Sequence, residues 1–567
     1  MVRSGLGGAV DGTLTDASQV WPTGSLHPLL ERLSAPLAER LIVTDAAIAA
    51  ITVVIGWALR FTQDDAYITL RFSRNLAEGT GLVFNAGERV EGYTNFLWTW
   101  FLALPHHFGG DPVLWSDIAS IAAGVVTALV TLRLARDTLG DRRLALVSVG
   151  LLVSFHSFAI YLTGGLETQW QTALVTLVVW LLSPIANGSA SPMHLGSARL
   201  VAASLAAGLA CLTRLDSIVI LVAILAAAMW TARRNGELAA RPFAMLLLPA
   251  AALVVPWVIW KVGYYDAILP NTFRAKQTPI LWALVRGAMF GAIFLAVTLL
   301  FVAIPIIRPG WRLARRRPTV RPLLVVAGAW VAYLLYVGAD FMEFRFLVPI
   351  LPIAAVLTTG AVAHLPHRRQ LAAVAVLLIG SAAKWVFFPG LLGIESARGL
   401  KGHVTAEGGW LEMGEVLRDA WPQGEHGGPT IAATPAGAIP YASRLRTIDM
   451  LGLTDVDAND EANRWELTKL KAGHEHIATV DYLESRHVDL IVGLERDCGE
   501  LAEGDPIEVV RELYLTYRVE RDDLPDGARL VEIPLRTAKR CMVVVQISKR
   551  PIVNRVVDAR GWATRDI

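Results

Sequence analysis

LIVTDAAIAAITVVIGWALRFTQDDAYITLRFSRNLAEG (41–79) changes character once, at Gln63. Before that point, residues 41–61 are apolar over a length that crosses a bilayer, for which about 17–25 residues suffice. After it come two adjacent carboxylates, Asp64 and Asp65. A helical pattern follows, in which Ile68, Phe72 and Leu76 recur on one face while Arg71, Arg74 and Glu78 form another. No short apolar region with a small-residue cleavage site precedes this stretch, so 41–61 is expected to act as an uncleaved anchor. The 66–79 segment is then expected to be a short amphipathic helix at the outer membrane surface.

Further windows of the same kind lie at 113–132, 144–162, 168–184, 198–213, 216–232, 243–260, 285–307, 322–338, 346–364 and 370–387. The expected fold is a polytopic α-helical membrane protein with about eleven transmembrane helices. Composition agrees: mean hydropathy is +0.46 and only 18% of residues are charged, against roughly a quarter in soluble proteins. The connections at 133–143, 199, 233–241, 308–321 and 368–369 hold sixteen arginines and no lysine, which marks them as cytoplasmic. The N-terminus is therefore expected inside. TNFLWTWFLALPHHFGG (94–110) is too short to span, and its paired Trp98 and Trp100 suit a re-entrant or interfacial helix.

Three regions follow from this topology: a cytoplasmic segment (1–40), a transmembrane module (41–390) with an external loop (62–112), and an external C-terminal α/β domain (391–567). In the last, TIAATP (430–435), DLIVG (489–493), RLVEIPL (529–535) and CMVVVQIS (541–548) read as strands, with helical patterns at 410–420 and 478–487. Cys498 and Cys541 both fall here and are available to pair in an oxidising compartment, although sequence spacing does not settle whether they meet. A net charge of +2 excludes a nucleic-acid partner.

Polar residues other than arginine concentrate in the loops expected outside. These carry Asp64 and Asp65; Arg71, Glu88, Glu91 and Asn95; Glu167; Arg214 and Asp216; Asn271, Arg274 and Lys276; and Arg345. Acids, amides and fixed cations converging on one face of a membrane protein point to a site. An acidic pair can deprotonate an acceptor hydroxyl, and guanidinium or ammonium groups can hold a phosphate as it departs. We expect Asp64 as the base with Asp65 orienting the acceptor. Arg274, Lys276 and Arg345 are expected on the donor phosphate, and the remaining residues on substrate. No metal site is expected and no cofactor is certain: His106 and His107 lack a third ligand at useful spacing. A divalent cation among Asp64, Asp65 and Glu167 stays open.

DDAYITLRFSRNLAEGTGLVFNAGERVEGYTNFLWT (64–99) resembles the first external loop of the GT-C superfamily. Its acidic pair, RNL helix and GxVFNxGERVE segment resemble in particular the actinobacterial terminal β-(1→2)-arabinofuranosyltransferase family. GGLET (164–168) resembles a second segment of that family. LTRLDS (212–217), YDAILPNT (265–272), DFMEFRFLVPILP (340–352) and TIDMLGLTD (447–455) resemble blocks of related glycosyltransferases. The resemblance implies a GT-C fold and inverting transfer from a polyprenyl-phosphate sugar, with decaprenyl-phosphoryl arabinofuranose the donor in the characterised relatives. By that match Asp64 and Asp65 take the position of the catalytic acidic pair. The acceptor would be an envelope glycan or lipid, and the place of work the outer face of a bacterial plasma membrane. EGYTN (91–95) and AYITL (66–70) depart from the family pattern beside the acidic pair, which leaves the sugar open. Two other classes fit the sequence less well. A flippase of lipid-linked sugars needs polar residues deep within its spans, and a scaffold acting through its external domain leaves the loops unexplained.

Overall fold

The computed structural model describes residues 27–298, 300–387, 390–391, 394–459, 463–464, 474, 476–502, 504–514, 519–537 and 539–567. Most of the expected 1–40 segment lies outside the described residues. The chain divides into two compact units, residues 1–50 and residues 51–567.

Six helices among the described residues are long and apolar enough to cross a membrane: Pro112–Leu139, Thr168–Ala186, Ser217–Arg234, Ala240–Tyr265, Ile280–Val297 and the segment Arg345–Val362. Ile42–Ala58, Ser197–Thr213 and Arg321–Val337 are shorter apolar helices. Two expected spans are not single helices. The 144–162 window breaks at Phe155 into Arg142–Ser154 and His156–Ile160, and the 285–307 window is divided between Ile280–Val297 and Leu300–Ala314. The interruption at Phe155 places His156 against the buried carboxylate of Glu343.

The helix after the acidic pair runs over Asp64–Ala77, two residues earlier than its apolar pattern suggested. Carboxylates in a first turn face the positive end of the helix dipole, and Asp64 and Asp65 occupy that turn. The expectation of a surface helix is corrected here, because every residue from Ala66 to Asn75 is buried. Ile68 and Phe72 pack with Leu82, Phe84, Tyr93, Tyr265 and Ala436. The opposite face, Tyr67 and Leu70, packs with Trp98, Leu102, Val404 and Ala438. Burying each large apolar side chain stabilises by about 1.5–3 kcal/mol. An amphipathic pattern shows which face is apolar; it does not say that the charged face meets water.

The charged face meets backbone instead. Arg71, 1% exposed, donates to the carbonyls of Phe84 (2.7 Å), Pro440 (2.7 Å) and Leu445 (2.8 Å) and to the Asn85 amide oxygen (3.0 Å). Arg74 donates to the Tyr441 carbonyl at 2.7 Å. The helix is thereby bolted to the C-terminal region. The Phe96–Phe108 helix packs beside it and ends at Gly109, whose φ of 73° closes the helix in the left-handed conformation. Asp111 then caps Val113 and Pro112 opens the next helix.

The C-terminal region carries a six-stranded sheet. Its strands are β1 (Ile431–Ala433), β2 (Thr447–Asp449), β3 (Leu490–Asp497), β4 (Arg529–Pro534), β5 (Arg540–Gln546) and β6 (Ala563–Asp566). The order is β6-β4-β5-β3-β1-β2, with β1 parallel to β2 and β3 and the other pairs antiparallel. Each of the four expected strands is present, as are helices at Trp410–Ala420 and Val480–Ser485. Cys498 and Cys541 form a disulfide.

Candidate active site

The carboxyl ends of β1 and β2 meet the loops around Asp64, and carboxyl ends are where open α/β sheets gather functional groups. After β1, the chain brings Gly437 and Ala438 onto Asp64. The Gly437 amide donates to Asp64 Oδ2 at 3.0 Å and the Ala438 amide to Oδ1 at 2.7 Å. The approach is close enough that a Cβ on residue 437 would stand 1.9 Å from the Asp64 carbonyl oxygen and 2.8 Å from its Cγ. Glycine is required there by space. Burial pushes the Asp64 carboxyl up to about 7; the two amides oppose the rise, while Asp65 and Asp449 add like charge. Asp449, at the end of β2, is fully buried and is itself pushed up to about 6 by burial, against the pull of the Thr454 and Leu451 amides. Asp64, Asp65 and Asp449 thus form a local acidic group. The sequence offered a signal for the third member, an acid within TIDMLGLTD, but not its partner 385 residues earlier.

On the other side of the acidic pair, the segment 61–63 is held by GGLET. Gly164 donates to the Phe61 carbonyl at 2.9 Å and Gln63 donates back to Gly164 at 3.4 Å. Gly164 and Gly165 have φ of 92° and 79°, and a Cβ on Gly165 would lie 2.5 Å from that of Ala66. The two glycines let this turn pass against the start of the Asp64–Ala77 helix. Glu167 follows. It accepts from Arg214 at 2.8 Å and from Asn95 at 2.6 Å. Although burial raises it, Arg214 and Arg345 together hold Glu167 below the usual carboxylate range. Arg214 also pairs with Asp216 at 2.8 Å, and Arg345 with Asp340 at 3.1 Å. Both guanidinium groups lie over the Phe346 ring, each 5.4 Å from its centroid. A void of about 10 Å³ lies among residues including Arg214, Asp216, Arg345 and Phe346. Five of the expected residues therefore form one connected group: Asn95, Glu167, Arg214, Asp216 and Arg345.

The remaining expected residues sit elsewhere. Arg71, as described, has its donors on the C-terminal region and cannot reach substrate without breaking that clamp. Glu88 pairs with Arg446 (2.6 Å) and Arg486 (2.7 Å). Glu91 pairs with Lys261 at 2.7 Å, both side chains almost fully buried. Asn271 donates through its side chain to the carbonyls of Gly452 (2.8 Å) and Leu453 (3.2 Å). Arg71, Glu88 and Asn271 sew the loops to the C-terminal region, and Glu91 ties its loop to the Ala240–Tyr265 helix. Lys261 was missed, although a lysine closing an apolar helix was a visible signal. Arg274 is exposed and Lys276 half-buried, on and just after the short Asn271–Ala275 helix. Among the described residues, no group of three His, Cys, Asp or Glu side chains is placed to hold a metal ion. A separate recess of about 610 Å³ is lined by Arg446, Arg486, Arg550 and their neighbours. It opens at the amino ends of β1–β3, the edge opposite Asp64.

Buried acids and arginines are thus grouped where the loops between apolar helices meet the C-terminal sheet, the architecture of a polytopic helical membrane protein. Comparison with known proteins agrees. Over 89% of this chain and 98% of the other, the fold matches the crystal structure of ArnT from Cupriavidus metallidurans bound to undecaprenyl phosphate, with a TM-score of 0.55 at 14% identity. The apo form of ArnT matches equally, at 0.55 over 90% of this chain. Residues 95–260 match the dolichyl-phosphate-mannose-protein mannosyltransferase family, and residues 399–544 match a domain family of unknown function, DUF8728. In sequence, the chain is 28% identical over 349 residues to the terminal β-(1→2)-arabinofuranosyltransferase of Mycobacterium tuberculosis, covering 53% of each chain. It is 29% identical over 382 residues to the protein of the same name from Corynebacterium glutamicum, covering 58% of this chain and 52% of that one. The chain thus spans about half the length of the curated relatives it matches. The chain is similar in sequence to the arabinofuranosyltransferases and shares its fold with ArnT.

Proposed function

We propose that this chain is an inverting membrane glycosyltransferase. It moves a sugar, arabinofuranose by its relatives, from a polyprenyl-phosphate donor to a cell-envelope glycan or lipid acceptor at the outer face of a bacterial plasma membrane. The observation that carries the reading is Asp64: a carboxylate with both oxygens on backbone amides and its pKa brought to about 7, where a general base works best at neutral pH. In the step, the acceptor hydroxyl passes its proton to Asp64 as its oxygen bonds to the anomeric carbon. The bond from that carbon to the phosphate oxygen breaks on the opposite face, and the lipid phosphate leaves with the electron pair. Arg345, backed by Arg214, is the cation assigned to that phosphate, with Arg274 and Lys276 on the rim where the lipid enters. Outward orientation of the C-terminal region is supported by the arginine-rich loops on the other side and by the Cys498–Cys541 disulfide, a bond that persists in oxidising compartments.

The test offers the purified protein radiolabelled polyprenyl-phosphate arabinose, mannose and glucose with an envelope acceptor extract. Product from one donor is expected; donor carried across vesicles without product would make the chain a transporter. Because both oxygens of Glu167 are taken by Arg214 and Asn95, the neutralising charge is assigned to arginine and not to a divalent ion. Transfer should therefore survive EDTA, and loss restored by Mg²⁺ would reverse that assignment. The pH profile follows from the sign of the shift. A base with a raised pKa is protonated and idle below it, so kcat/KM should rise through an acid limb near pH 7, not near pH 4. The same group should make the fold less stable as pH rises from about 4 to 7, since the native state holds the extra proton.

A further inference from the structure

The recess of about 610 Å³ at the amino ends of β1–β3 plays no part in the transfer step. It has room for a small ligand, since binding clefts run to about 300–1,000 Å³. Three guanidinium groups, from Arg446, Arg486 and Arg550, share its lining with the His426 and His487 rings. Arg446 and Arg486 both donate through Nη2 to one oxygen of Glu88, at 2.6 and 2.7 Å, so the two groups converge. Arg486 also reaches Asp455 at 3.4 Å, and Arg550 pairs with Asp489 at 2.8 Å. The Arg550 and Arg446 side chains are 48% and 41% exposed while Asp489 is fully buried; of the acids paired here only Asp457, 3.6 Å from Arg486, is well exposed. Among the described lining residues the one carboxylate, Glu425, is engaged outside the recess: it accepts from the Ala86 amide at 2.7 Å and faces Arg71 at 3.9 Å. Each guanidinium carries five N–H donors, more than Glu88, Asp455 and Asp489 can take up while also accepting from Asn85, Tyr482, Thr430 and Ser548. Arg446 Nε is buried with no partner at all.

We infer that this recess is a second binding site, for a saccharide that carries a phosphate monoester. The phosphate falls to Arg446, Arg486 and Arg550, and the sugar to the Thr430 and Ser485 hydroxyls and the two imidazoles. A phosphate monoester brings about −1.5 to −2 charges and three terminal oxygens, enough to meet three guanidinium forks, whereas a carboxylate brings one charge and two oxygens. The volume exceeds what a bare phosphate fills, which leaves space for a ring. Among the described lining residues there is no Phe, Tyr or Trp, so recognition rests on charge and hydrogen bonding. β1 is three residues long, which sets the edge with the recess about 10 Å from the edge that meets Asp64. A ligand held here is therefore not the sugar undergoing transfer, and the inference stands whether or not the transferase reading does. A polyprenyl phosphate offers the same anion, but its tail keeps it with the apolar helices.

The experiment titrates the purified full chain in detergent, by calorimetry, with mannose 6-phosphate, inorganic phosphate and mannose. Mannose 6-phosphate should bind more tightly than inorganic phosphate, mannose should give no heat of binding, and added polyprenyl phosphate should displace neither anion. Arg550→Gln removes one fork, and His426→Glu sets a carboxylate in the recess while leaving every ion pair named above in place. Each should weaken mannose 6-phosphate about tenfold or more, the worth of a charge-assisted hydrogen bond. Melting temperatures accompany the titrations, because Arg550→Gln uncovers the buried Asp489; His426→Glu carries the test if that variant unfolds. Equal affinity for mannose and its phosphate would make the recess a neutral-sugar cleft. Unchanged affinity in a folded His426→Glu protein would place the phosphate elsewhere, displacement by polyprenyl phosphate would give it to a lipid site, and no binding of any probe would leave the arginines a structural role. Each of these four results overturns the inference.

Discussion

Asp64→Asn is expected to lower transfer by about 10²- to 10⁴-fold, the usual contribution of a general base, with donor binding retained. Asparagine keeps the shape of the side chain but cannot take a proton from the acceptor. It also turns one of the two amide contacts from Gly437 and Ala438 into a clash of donors, because its NH₂ cannot accept. For this reason melting temperature must be measured beside activity. Removing a hydrogen bond to a charged group costs about 1.5–3 kcal/mol, a loss that a folded membrane protein of this size tolerates. Full activity in a folded Asp64→Asn protein would take Asp64 out of the mechanism and pass the role to Asp65 or Asp449.

Gly437→Ala tests whether the C-terminal region belongs to the site. The backbone at Gly437 has φ −101°, which alanine adopts freely, so conformational strain is not the issue. The added methyl, however, would fall 1.9 Å from the Asp64 carbonyl oxygen, and the two segments must part. With them go the two amide contacts that hold the carboxylate and restrain its pKa. A drop in kcat of about 10- to 100-fold is expected, corresponding to the loss of one or two charge-assisted hydrogen bonds. KM for the donor should change little, and the acid limb of the pH profile should move upward. A merely structural role would leave the limb in place. Unchanged kcat with an unchanged limb would show that the region packs against the catalytic carboxylate without governing it.

Both experiments concern a junction that the sequence alone did not reveal. The apolar windows, the arginine-rich connections and the alternating runs of the C-terminal region each depend on neighbours within about twenty residues. Helix and strand periodicity and lipid compatibility are local properties, so the polytopic architecture and the strands of the sheet could be read directly. Asp64 and Asp65 stood out for the same reason, as charges immediately after an apolar window. The grouping of Glu167, Arg214 and Asp216 with Arg345 was also anticipated in outline, because loops on one face of a bundle converge.

What tertiary structure alone decided is which polar residues face one another. Arg71 looked like a cation for substrate, yet it ties the Asp64–Ala77 helix to carbonyls at Pro440 and Leu445, 369 and 374 residues away. Glu91 found Lys261, 170 residues away, and Asn271 found Gly452, 181 residues away, while Gly437 proved to press directly against the candidate base. A guanidinium or carboxylate carries the same sequence signal whether it binds ligand, pairs with another charge or caps a backbone. Its role depends on burial and on the partner that burial supplies. The sequence by itself determined that this is a membrane protein with an acidic pair beside its first apolar helix. Only the packing of residues 434–455 onto residues 62–95 determined which of its many charges tie the loops to the C-terminal region and which gather around Asp64, because long-range contacts leave no periodic trace in the chain.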